Sequence, residues 1–564
     1  MTRPIDARLV ATGRLVAESP LHVGGMSDDL ETDMPLTRDG RGRLYIPGTS
    51  LAGPLRAWME DCFGDYESLL EVLWGHQPSP RAERPAPRHG ADPKAEDTGS
   101  ASRILVEDAE VRLPPGLDEE IWDGVGIDRE SGTASRDIKF DRAVLPVGSE
   151  IRLRMLLELP RDDRDADSAR AMLGHLLAAL ARAEIGLGAA GNRGLGRVRL
   201  TLDELGEEDW SCREGVLAIL RGDGRGALTL PGLQGATTDC LPRPPERLLV
   251  RIHWHPDGPL MTKAGHDGIA VDMLPMVSAT ADGLLAPVLP GSGTKGALRS
   301  QAERIVRTLL DISLPDETVR GRNRHLEQLK VPLVENLFGT AKSADTESQD
   351  GKPDRWQPGR GVLSVATTFA EGARAAAGHW RAIADAAPDP DQGVPDPAER
   401  PLCKALADAG LGADSSAGSA VPRLEQAFHV AVDRWTGGAA EKLLFSGIEP
   451  FAIPWAPIEL TLETGRLPPG LREPALALLL LVLRDLSEGR VTLGVGANRG
   501  YGSLVVERLE LAVAKGRDEA GSLAWLDGLV LDAPLDLTAL DAARMGEVQQ
   551  AWHTWIIDQG GRHD

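Results

Sequence analysis

The sequence predicts an α+β protein in which one ferredoxin-like plan occurs twice in tandem. Two observations support this prediction. Five motifs recur in the same order in the two halves of the 564-residue chain, and the hydrophobic pattern of each half runs strand, helix, strand, strand, helix, strand. This order is typical of ferredoxin-like domains, a plan that RNA-recognition modules (RRMs) also use. Because one fold serves many activities, function has to be argued from individual residues.

The repeated motifs keep their spacing in both halves. Asp33 lies thirteen positions after Pro20, and Asp272 lies thirteen positions after Pro259. The motifs that follow are PGTSLAGPLR and PGSGTKGALR, VLWG and NLFG, VGIDRESGTASRDIKF and VAVDRWTGGAAEKLLF, and GAAGNRGLG and GVGANRGYG. A tandem duplication explains this shared order. It predicts a first domain at 1–245, a second at 246–520 and a short helical C-terminal extension at 521–564.

The elements of each copy follow from local pattern. An extended segment, ARLVATGRLVAES or RLLVRIHWHP, is followed by a PG turn and a helix, for which Thr49 and Thr294 are the predicted N-caps. After a hairpin and an alternating strand, a second apolar helix is predicted at about 166–184 or 473–487, and it ends at a glycine loop. Stretches rich in Pro, Gly and Asp between these elements are predicted to be inserted surface loops.

Composition excludes several classes of protein. The net charge of −23 argues against a protein that coats nucleic acid non-specifically, although it permits a basic groove. The four cysteines form no CxxC pair, which argues against a zinc knuckle or a disulfide framework. The N-terminus lacks the apolar core of a signal peptide, and the longest apolar run, 475–483, is too short to span a bilayer. We therefore expect a soluble, cytoplasmic protein with no membrane partner.

Four carboxylates crowd the stretch GGMSDDLETDMP in the first copy. When the copies are aligned on their Pro-Leu pairs, Asp33 falls on Asp272 and Asp28 falls on Asp267, whereas the other two acids meet Gly and Ala. Only two acids are therefore shared. A loop Asp can act as a metal ligand or a proton acceptor. The alternative is an exposed loop acid that caps a turn.

These motifs resemble the RAMP superfamily of CRISPR proteins. The resemblance rests on the glycine-bearing loop LHVGG…TDMP, the helix start IPGTSLAGPLR, the hairpin GIDRESGTA and the glycine loop GLGAAGNRGLG, most of which recur in the second copy. The likeness is closest to the repeating backbone subunit of type III effector complexes. Two such domains in one chain resemble the fused double subunit of type III-D.

The resemblance implies an activity and a set of partners. Backbone subunits of this family assemble along a guide RNA, and the hairpin of each, the thumb, kinks the guide–target duplex. The resemblance implies that Asp33 and Asp272 are catalytic and hold Mg²⁺ or Mn²⁺ for cleavage of target RNA, with Asp28 and Asp267 as reserve candidates. The implied partners are guide RNA, target RNA, other RAMP subunits and a large type III signature subunit.

The sequence also suggests RNA-binding residues. Helix starts and glycine loops bring main-chain N–H groups close to phosphates, and an exposed tryptophan can stack on a base. Each position has an alternative: a solvated helix face, a helix-ending turn, hairpin packing or, for His22, a core or turn histidine. The candidate RNA contacts are Ser50, Arg56, Arg193, Lys295, Arg299, Arg499, Trp435 and His22.

Three functions remain open at this point. The leading hypothesis is a double backbone subunit that binds guide RNA and cleaves target RNA, where the substrate's own 2′-hydroxyl can serve as nucleophile. The second is a non-catalytic RNA-binding scaffold, which the aspartates shared by both loops argue against. The third is a guide-processing endoribonuclease; such enzymes usually present a catalytic histidine, and neither Asp loop pairs one with its counterpart.

Overall fold

The structure is a computed structural model. It describes residues 4–25, 32–76, 99–161, 163–315, 319, 321–340, 359–388, 399–412, 422–514, 516 and 523–560. Asp28 and most of the three predicted insertions lie outside the described residues. Among the helices that are described, none combines the length and the apolar character needed to cross a bilayer.

The first half, called copy 1 below, follows the predicted element order. Three helices lie between the strands of the repeat, and three short elements follow its last strand. The elements are β1 (Ile5–Ala17), β2 (Tyr45–Ile46), α1 (Gly48–Cys62), α2 (Glu67–Trp74), β3 (Ile104–Val106), β4 (Ala109–Arg112), β5 (Glu120–Ile127), β6 (Ala134–Val144), β7 (Glu150–Pro160), α3 (Ala166–Ala181), β8 (Val198–Asp209), α4 (Arg213–Arg221), β9 (Arg225–Ala227) and α5 (Leu230–Gln234).

The second half, copy 2, repeats this order with additional elements between its strands and after its last strand. They are β10 (Arg247–Pro256), β11 (Val277–Ala279), β12 (Leu285–Leu289), α6 (Gly291–Leu310), α7 (Gly321–Gln328), α8 (Val334–Phe338), β13 (Leu363–Val365), β14 (Thr368–Phe369), α9 (Ala377–Ala384), α10 (Pro401–Asp408), β15 (Arg423–Val432), β16 (Ala439–Phe451), β17 (Ile458–Leu462), α11 (Pro469–Ser487), β18 (Leu504–Ala514), β19 (Val530–Asp532) and α12 (Ala542–Gly560).

Strand order confirms the ferredoxin-like fold class in both copies. In copy 1, β1 lies between β7 and β8 and is antiparallel to both, and β3 and β4 pair with the other edge of β7. In copy 2, β10 lies between β17 and β18, and β13 pairs with β17. In each sheet the first strand of the repeat is central and antiparallel to the third and fourth, as in a split βαβ unit.

Each sheet packs its helices against one apolar face. On β7 the alternating residues predicted from the sequence are all buried, and they join side chains of α1 and α3 in one core. Copy 2 builds the equivalent core from β10, β17, α6 and α11, and residues of α12 pack into it. Burying each large aliphatic side chain contributes about 1.5–3 kcal/mol, so two separate cores stabilise two separate sheets.

The predicted N-caps Thr49 and Thr294 are wrong. Both helices begin at the glycine of the PG turn, and neither has a capping side chain at its N-terminus. The proline fixes an extended backbone just before the glycine, which moves the helix start upstream of the threonine. More distant side chains take the first N–H groups instead: Asp108 accepts from α1 (2.8 Å) and Thr367 accepts from α6 (3.4 Å).

Two hairpins stand apart from the main sheets. Thumb 1 is the pair β5–β6 and thumb 2 is the pair β15–β16, and each forms a two-stranded sheet of its own. Below, Asp loop 1 and Asp loop 2 denote residues 20–36 and 259–275. Glycine loop 1 and glycine loop 2 denote residues 188–196 and 494–502.

Candidate active sites and RNA interface

The two predicted catalytic aspartates occupy the same place in the two copies. In copy 1 the N–H of Asp141 donates to the Asp33 carboxylate (3.0 Å), and the N–H of Asp33 donates to the Asp141 carboxylate (2.7 Å). In copy 2 the N–H of Ser446 donates to the Asp272 carboxylate (2.8 Å). Asp141 and Ser446 each follow the repeated phenylalanine of a thumb, and both predicted aspartates are exposed. Each Asp therefore lies at the root of its own thumb, while its role in cleavage stays a prediction.

Each root offers oxygen donors of the kind that divalent cations take as ligands. Mg²⁺ in phosphate chemistry is usually held by one or two carboxylates together with phosphate oxygens and water. Copy 1 offers two carboxylates, Asp33 and Asp141, whereas copy 2 offers Asp272 and the Ser446 hydroxyl 3.5 Å from it. Among the described residues, no group of three or more His, Cys, Asp or Glu is arranged to hold a metal. Oxygens of RNA or water would have to complete the coordination.

Of the two reserve candidates, only Asp267 lies among the described residues; Asp28 lies outside them. Asp267 is exposed and pairs with Lys263 (2.9 Å). Nearby, a side chain at Gly265 would place its Cβ 2.8 Å from the carboxylate of Asp123 on thumb 1. Thumb 1 of copy 1 therefore passes along Asp loop 2 of copy 2.

Each glycine loop supports the Asp loop of its own copy. Gly188 has φ +72° and Gly494 has φ +80°, and a Cβ at either position would lie 2.2–2.3 Å from the carbonyl oxygen of His22 or Met261. Glycine accepts both the left-handed backbone and this close approach. The next N–H in each loop donates to the same carbonyl, at 2.9 Å in copy 1 and 3.0 Å in copy 2.

His22 is held inside the protein. It is 4% exposed, and its Nδ1 lies 2.7 Å from the carbonyl oxygen of Ala143. Burial lowers the pKa of His22, and nearby Arg142 lowers it further, so the ring is neutral and Nδ1–H is the donor. The predicted RNA contact of His22 stays untested, and its burial favours the turn-histidine alternative.

A cationic cluster lies where the two copies meet. Glycine loop 1 packs against the start of α6, and Thr367 of copy 2 donates a hydrogen bond to the carbonyl of Gly194 (2.9 Å). Lys295 of α6 is 5% exposed, and its Nζ donates to the carbonyl of Leu363 (2.7 Å). Desolvation lowers the pKa of Lys295 to about 7, with further contributions from the positive charges of Arg193, Arg299 and Arg360.

The charges in this cluster are not equally available. Arg299 donates to the Glu303 carboxylate (2.6 Å) and to two backbone carbonyls, so its guanidinium makes its hydrogen bonds inside the protein. Its counterpart Arg56 pairs with Glu60 (2.7 Å) and is half exposed. Desolvation lowers the pKa of Arg193, which nevertheless keeps an exposed side and, as an arginine, its charge. Ser50 is half buried in the first turn of α1.

Thumb 1 docks its tip on copy 2. The Asp128 carboxylate accepts from the N–H groups of Glu130 and Ser131, and these bonds hold its pKa down at about 2. Arg129 does not pair with the adjacent Asp128 but donates to Glu303 (2.6 Å), because α6 lies beneath the hairpin. Further contacts join the tip to α7: Gln328 donates to Asp128 (2.8 Å), and Arg324 pairs with Glu130.

Thumb 2 has the same turn, and its tip makes no comparable ion pairs with the other residues that the structure describes. The Asp433 carboxylate accepts from the N–H groups of Trp435 and Thr436, each at 2.8 Å. Trp435 is 96% exposed at the tip. Near the root, the Arg499 guanidinium of glycine loop 2 stacks on Phe445 at 4.6 Å from the ring centroid. Both predicted RNA contacts are therefore accessible in the described structure.

Sequence reasoning missed a polar network at the root of thumb 2. His429 Nε2 lies 2.7 Å from the Glu449 carboxylate and 2.8 Å from the Tyr501 hydroxyl, which also donates to Glu449. The copy-1 counterparts of these three residues are Gly, Val and Leu, so a search for features shared by both copies discards them. Asp141 was missed for the same reason, because its counterpart is a serine.

The profile of the RAMP superfamily matches residues 14–199 and 275–505, which contain all of the repeated motifs except the copy-2 motif that ends at Asp272. The chain belongs to the RAMP superfamily. This membership confirms the recognition made from the motifs, and two RAMP regions in tandem agree with the two ferredoxin-like sheets.

The chain is also similar to a curated CRISPR protein. The chain is 23% identical over 205 residues to a protein of Methanocaldococcus jannaschii named CRISPR system Cms endoribonuclease Csm3. The aligned region covers 35% of this RAMP chain and 79% of that protein. One Csm3-like unit therefore corresponds to about one of the two RAMP copies.

Proposed function

We propose that this RAMP chain is a subunit of a type III CRISPR effector complex that binds guide RNA along both copies and cleaves complementary target RNA at two positions. The observation that carries the proposal is the common placement of Asp33 and Asp272, each bonded to a backbone N–H at the root of a thumb. The likeness to a protein named as a Csm3 endoribonuclease supports this proposal. Other RAMP subunits and a large signature subunit are the expected partners.

The side chains suit the cleavage of a kinked RNA strand. A divalent cation, Mg²⁺ or Mn²⁺, would neutralise charge that develops on the scissile phosphate. Asp33, together with Asp141, would hold it in copy 1, and Asp272 would hold it in copy 2. Each thumb would splay the target backbone beside its Asp, which brings a 2′-hydroxyl into line with the adjacent phosphorus.

The cationic cluster between the copies supports binding of a phosphate backbone. Lys295 has a lowered pKa because burial and three arginines disfavour its charge. A phosphate beside it would stabilise the protonated amine, and helix starts and glycine loops present N–H groups to such anions. The same cluster would serve a non-catalytic scaffold, so RNA binding alone does not distinguish the two functions.

The test uses the complex reconstituted with its guide and a labelled target in Mg²⁺ or Mn²⁺. Asp33→Ala and Asp272→Ala should each slow the formation of one product by at least about 100-fold and leave target binding unchanged. Chelation of the metal should stop both cuts. Asp118→Ala, which removes an exposed carboxylate that belongs to neither Asp loop, controls for the loss of a charge.

Three other outcomes would change the proposal. An unchanged product ladder in both aspartate variants would leave a scaffold that binds RNA without cutting it. Loss of the second product in Asp267→Ala but not in Asp272→Ala would move that site to the reserve residue. Trimming of a guide precursor by the chain alone would favour the guide-processing alternative.

A further inference from the structure

The network of His429, Glu449 and Tyr501 lies beside the Asp272 site of copy 2. His429 on β15 faces Phe445 on β16, and the two rings stack at 5.1 Å between centroids. The next residue along β16 is Ser446, whose N–H holds the Asp272 carboxylate. The imidazole of His429 therefore contacts Phe445, and the predicted catalytic carboxylate of Asp272 contacts the next residue of β16, Ser446.

The hydrogen bonds of this network fix one form of the imidazole. Glu449 and Tyr501 are each 5% exposed, so the carboxylate needs donors to compensate for its burial. Nε2–H of His429 donates to Glu449 at 2.7 Å, and the Tyr501 hydroxyl donates to the same oxygen. Nδ1 makes no hydrogen bond within the described part of the chain, and 28% of the His429 side chain is exposed. A neutral ring held in this way has a free acceptor nitrogen at the surface.

The groups around the ring favour a proton acceptor. Glu449 faces it from β16, Tyr501 faces it from glycine loop 2, and Arg499 lies on the other side of Phe445. A buried carboxylate beside an imidazole stabilises the imidazolium that forms when the ring takes a proton. Burial and the bond to Glu449 raise the pKa of Tyr501, so the phenol stays protonated and donates to Glu449.

Copy 1 shows that the thumb does not need this network in order to fold. Its counterparts are Gly124, Val144 and Leu195, and Phe140 lies so close over Gly124 that a Cβ there would be 2.3 Å from the ring. Val144 and Leu195 instead belong to an apolar cluster shared with copy 2. The polar set is therefore a property of copy 2 alone.

We propose that His429 is the general base of the copy-2 site, oriented by Glu449 and Tyr501. This inference rests on the proposed function. The 2′-hydroxyl of the target nucleotide gives its proton to Nδ1 as its oxygen bonds to the adjacent phosphorus. The bond from phosphorus to the 5′-oxygen breaks, and that oxygen takes a proton from water. The products carry a 2′,3′-cyclic phosphate and a 5′-hydroxyl, and the imidazolium returns its proton to solvent.

The experiment compares the two cuts made by one reconstituted complex between pH 5.5 and 8.5. His429→Ala and His429→Gly should slow the copy-2 cut by about 100-fold or more and leave the copy-1 cut at its wild-type rate. Added imidazole should restore part of the copy-2 rate in these variants. The wild-type copy-2 rate should depend on pH across this range as expected for catalysis by a base, and the variants should lack this dependence.

Two controls separate this inference from other causes. His255→Ala removes another histidine that pairs with a glutamate, at the exposed contact with Glu507, and should change neither cut. Asp272→Ala tests the proposed function independently, because it should remove the copy-2 cut whatever the role of His429. A wild-type copy-2 rate in His429→Ala would overturn the inference. So would a loss that imidazole does not rescue and that parallels weaker RNA binding.

Discussion

Thumb 1 and thumb 2 share a hairpin turn but differ in what surrounds them. The tip of thumb 1 lies on α6 and α7 of copy 2, where Arg129 reaches Glu303. The tip of thumb 2 presents Trp435 to solvent, and in the described part of the chain the adjacent Arg434 makes no ion pair. Tandem fusion thus gives the first thumb a permanent partner within the chain. The second thumb is left available for another molecule.

The roots of the two thumbs also differ in whether they pack against the other copy. The copy-1 positions that correspond to the network of thumb 2 are apolar where the two copies meet. Val144 and Leu195 lie with Trp122 in a cluster that Met276 and Val288 of copy 2 cover. The root of thumb 2 carries the buried polar network instead. The apolar residues therefore occur in the thumb that packs against the other RAMP copy. At these aligned positions copy 1 packs against its neighbour, whereas copy 2 carries hydrogen-bonded ionisable groups.

The largest expected effect comes from breaking the contact beneath thumb 1. Glu303 is 2% exposed and binds both Arg129 and Arg299. Glu303→Gln removes the charge that compensates two buried guanidinium groups, and we expect the free energy of unfolding of copy 2 to fall by about 3–5 kcal/mol. Chemical denaturation, followed with a probe placed in copy 2, measures the change.

Copy 1 supplies a matched control for this variant. Glu60 is the counterpart of Glu303 and pairs with Arg56 in the same way, but 49% of its side chain is exposed. Glu60→Gln should change the free energy of unfolding by no more than about 0.5 kcal/mol, because exposed helical pairs contribute little. Similar losses in the two variants would show that docking of thumb 1 does not depend on Glu303.

These two glutamates also show what the sequence could and could not predict. Spacing within each copy identified the helices, the thumbs and the shared aspartates, because hydrophobic period and turn residues are local signals. The contact between Arg129 and Glu303 joins residues 174 positions apart in different copies, so no local pattern indicates it. The position of Asp33 at the root of its thumb likewise required the fold, since Asp141 lies 108 positions away.

The repeat that guided the sequence interpretation also concealed part of the site. The aspartates are predicted because both copies share them, and the same criterion passes over His429, whose counterpart in copy 1 is Gly124. Lys295, which replaces Ala52, is predicted from the sequence as an RNA contact, whereas its burial is not. The surroundings of both residues depend on packing between elements, which spacing does not reveal.

An intermediate effect is expected at Lys295, where copy 2 has a charge that copy 1 lacks. Its folded-state pKa is about 7, whereas an exposed lysine titrates near about 10.4. Below pH 7 the folded chain bears the full cost of the buried charge. Between these two values the folded state releases a proton that the unfolded state keeps, so stability rises with pH.

Lys295→Met should therefore stabilise the RNA-free chain, by about 1 kcal/mol at pH 6, and the gain should shrink towards pH 9. Unfolding free energies at the two pH values measure it. Lys263→Met, at an exposed lysine paired with Asp267, is the control for replacing a lysine by methionine. An equal gain in the free energy of unfolding at pH 6 and pH 9 would show that folding does not lower the pKa of Lys295.

The smallest effect on stability is expected at the free tip of thumb 2. Trp435 is 96% exposed, so Trp435→Ala should change the free energy of unfolding by less than about 0.5 kcal/mol. If the indole stacks on a base, RNA affinity at fixed salt should weaken by about 1–3 kcal/mol. Its copy-1 counterpart Glu130 is held by Arg324, and Glu130→Ala should leave RNA affinity unchanged. Equal RNA affinity in wild type and Trp435→Ala would contradict the predicted stacking of the indole on a base.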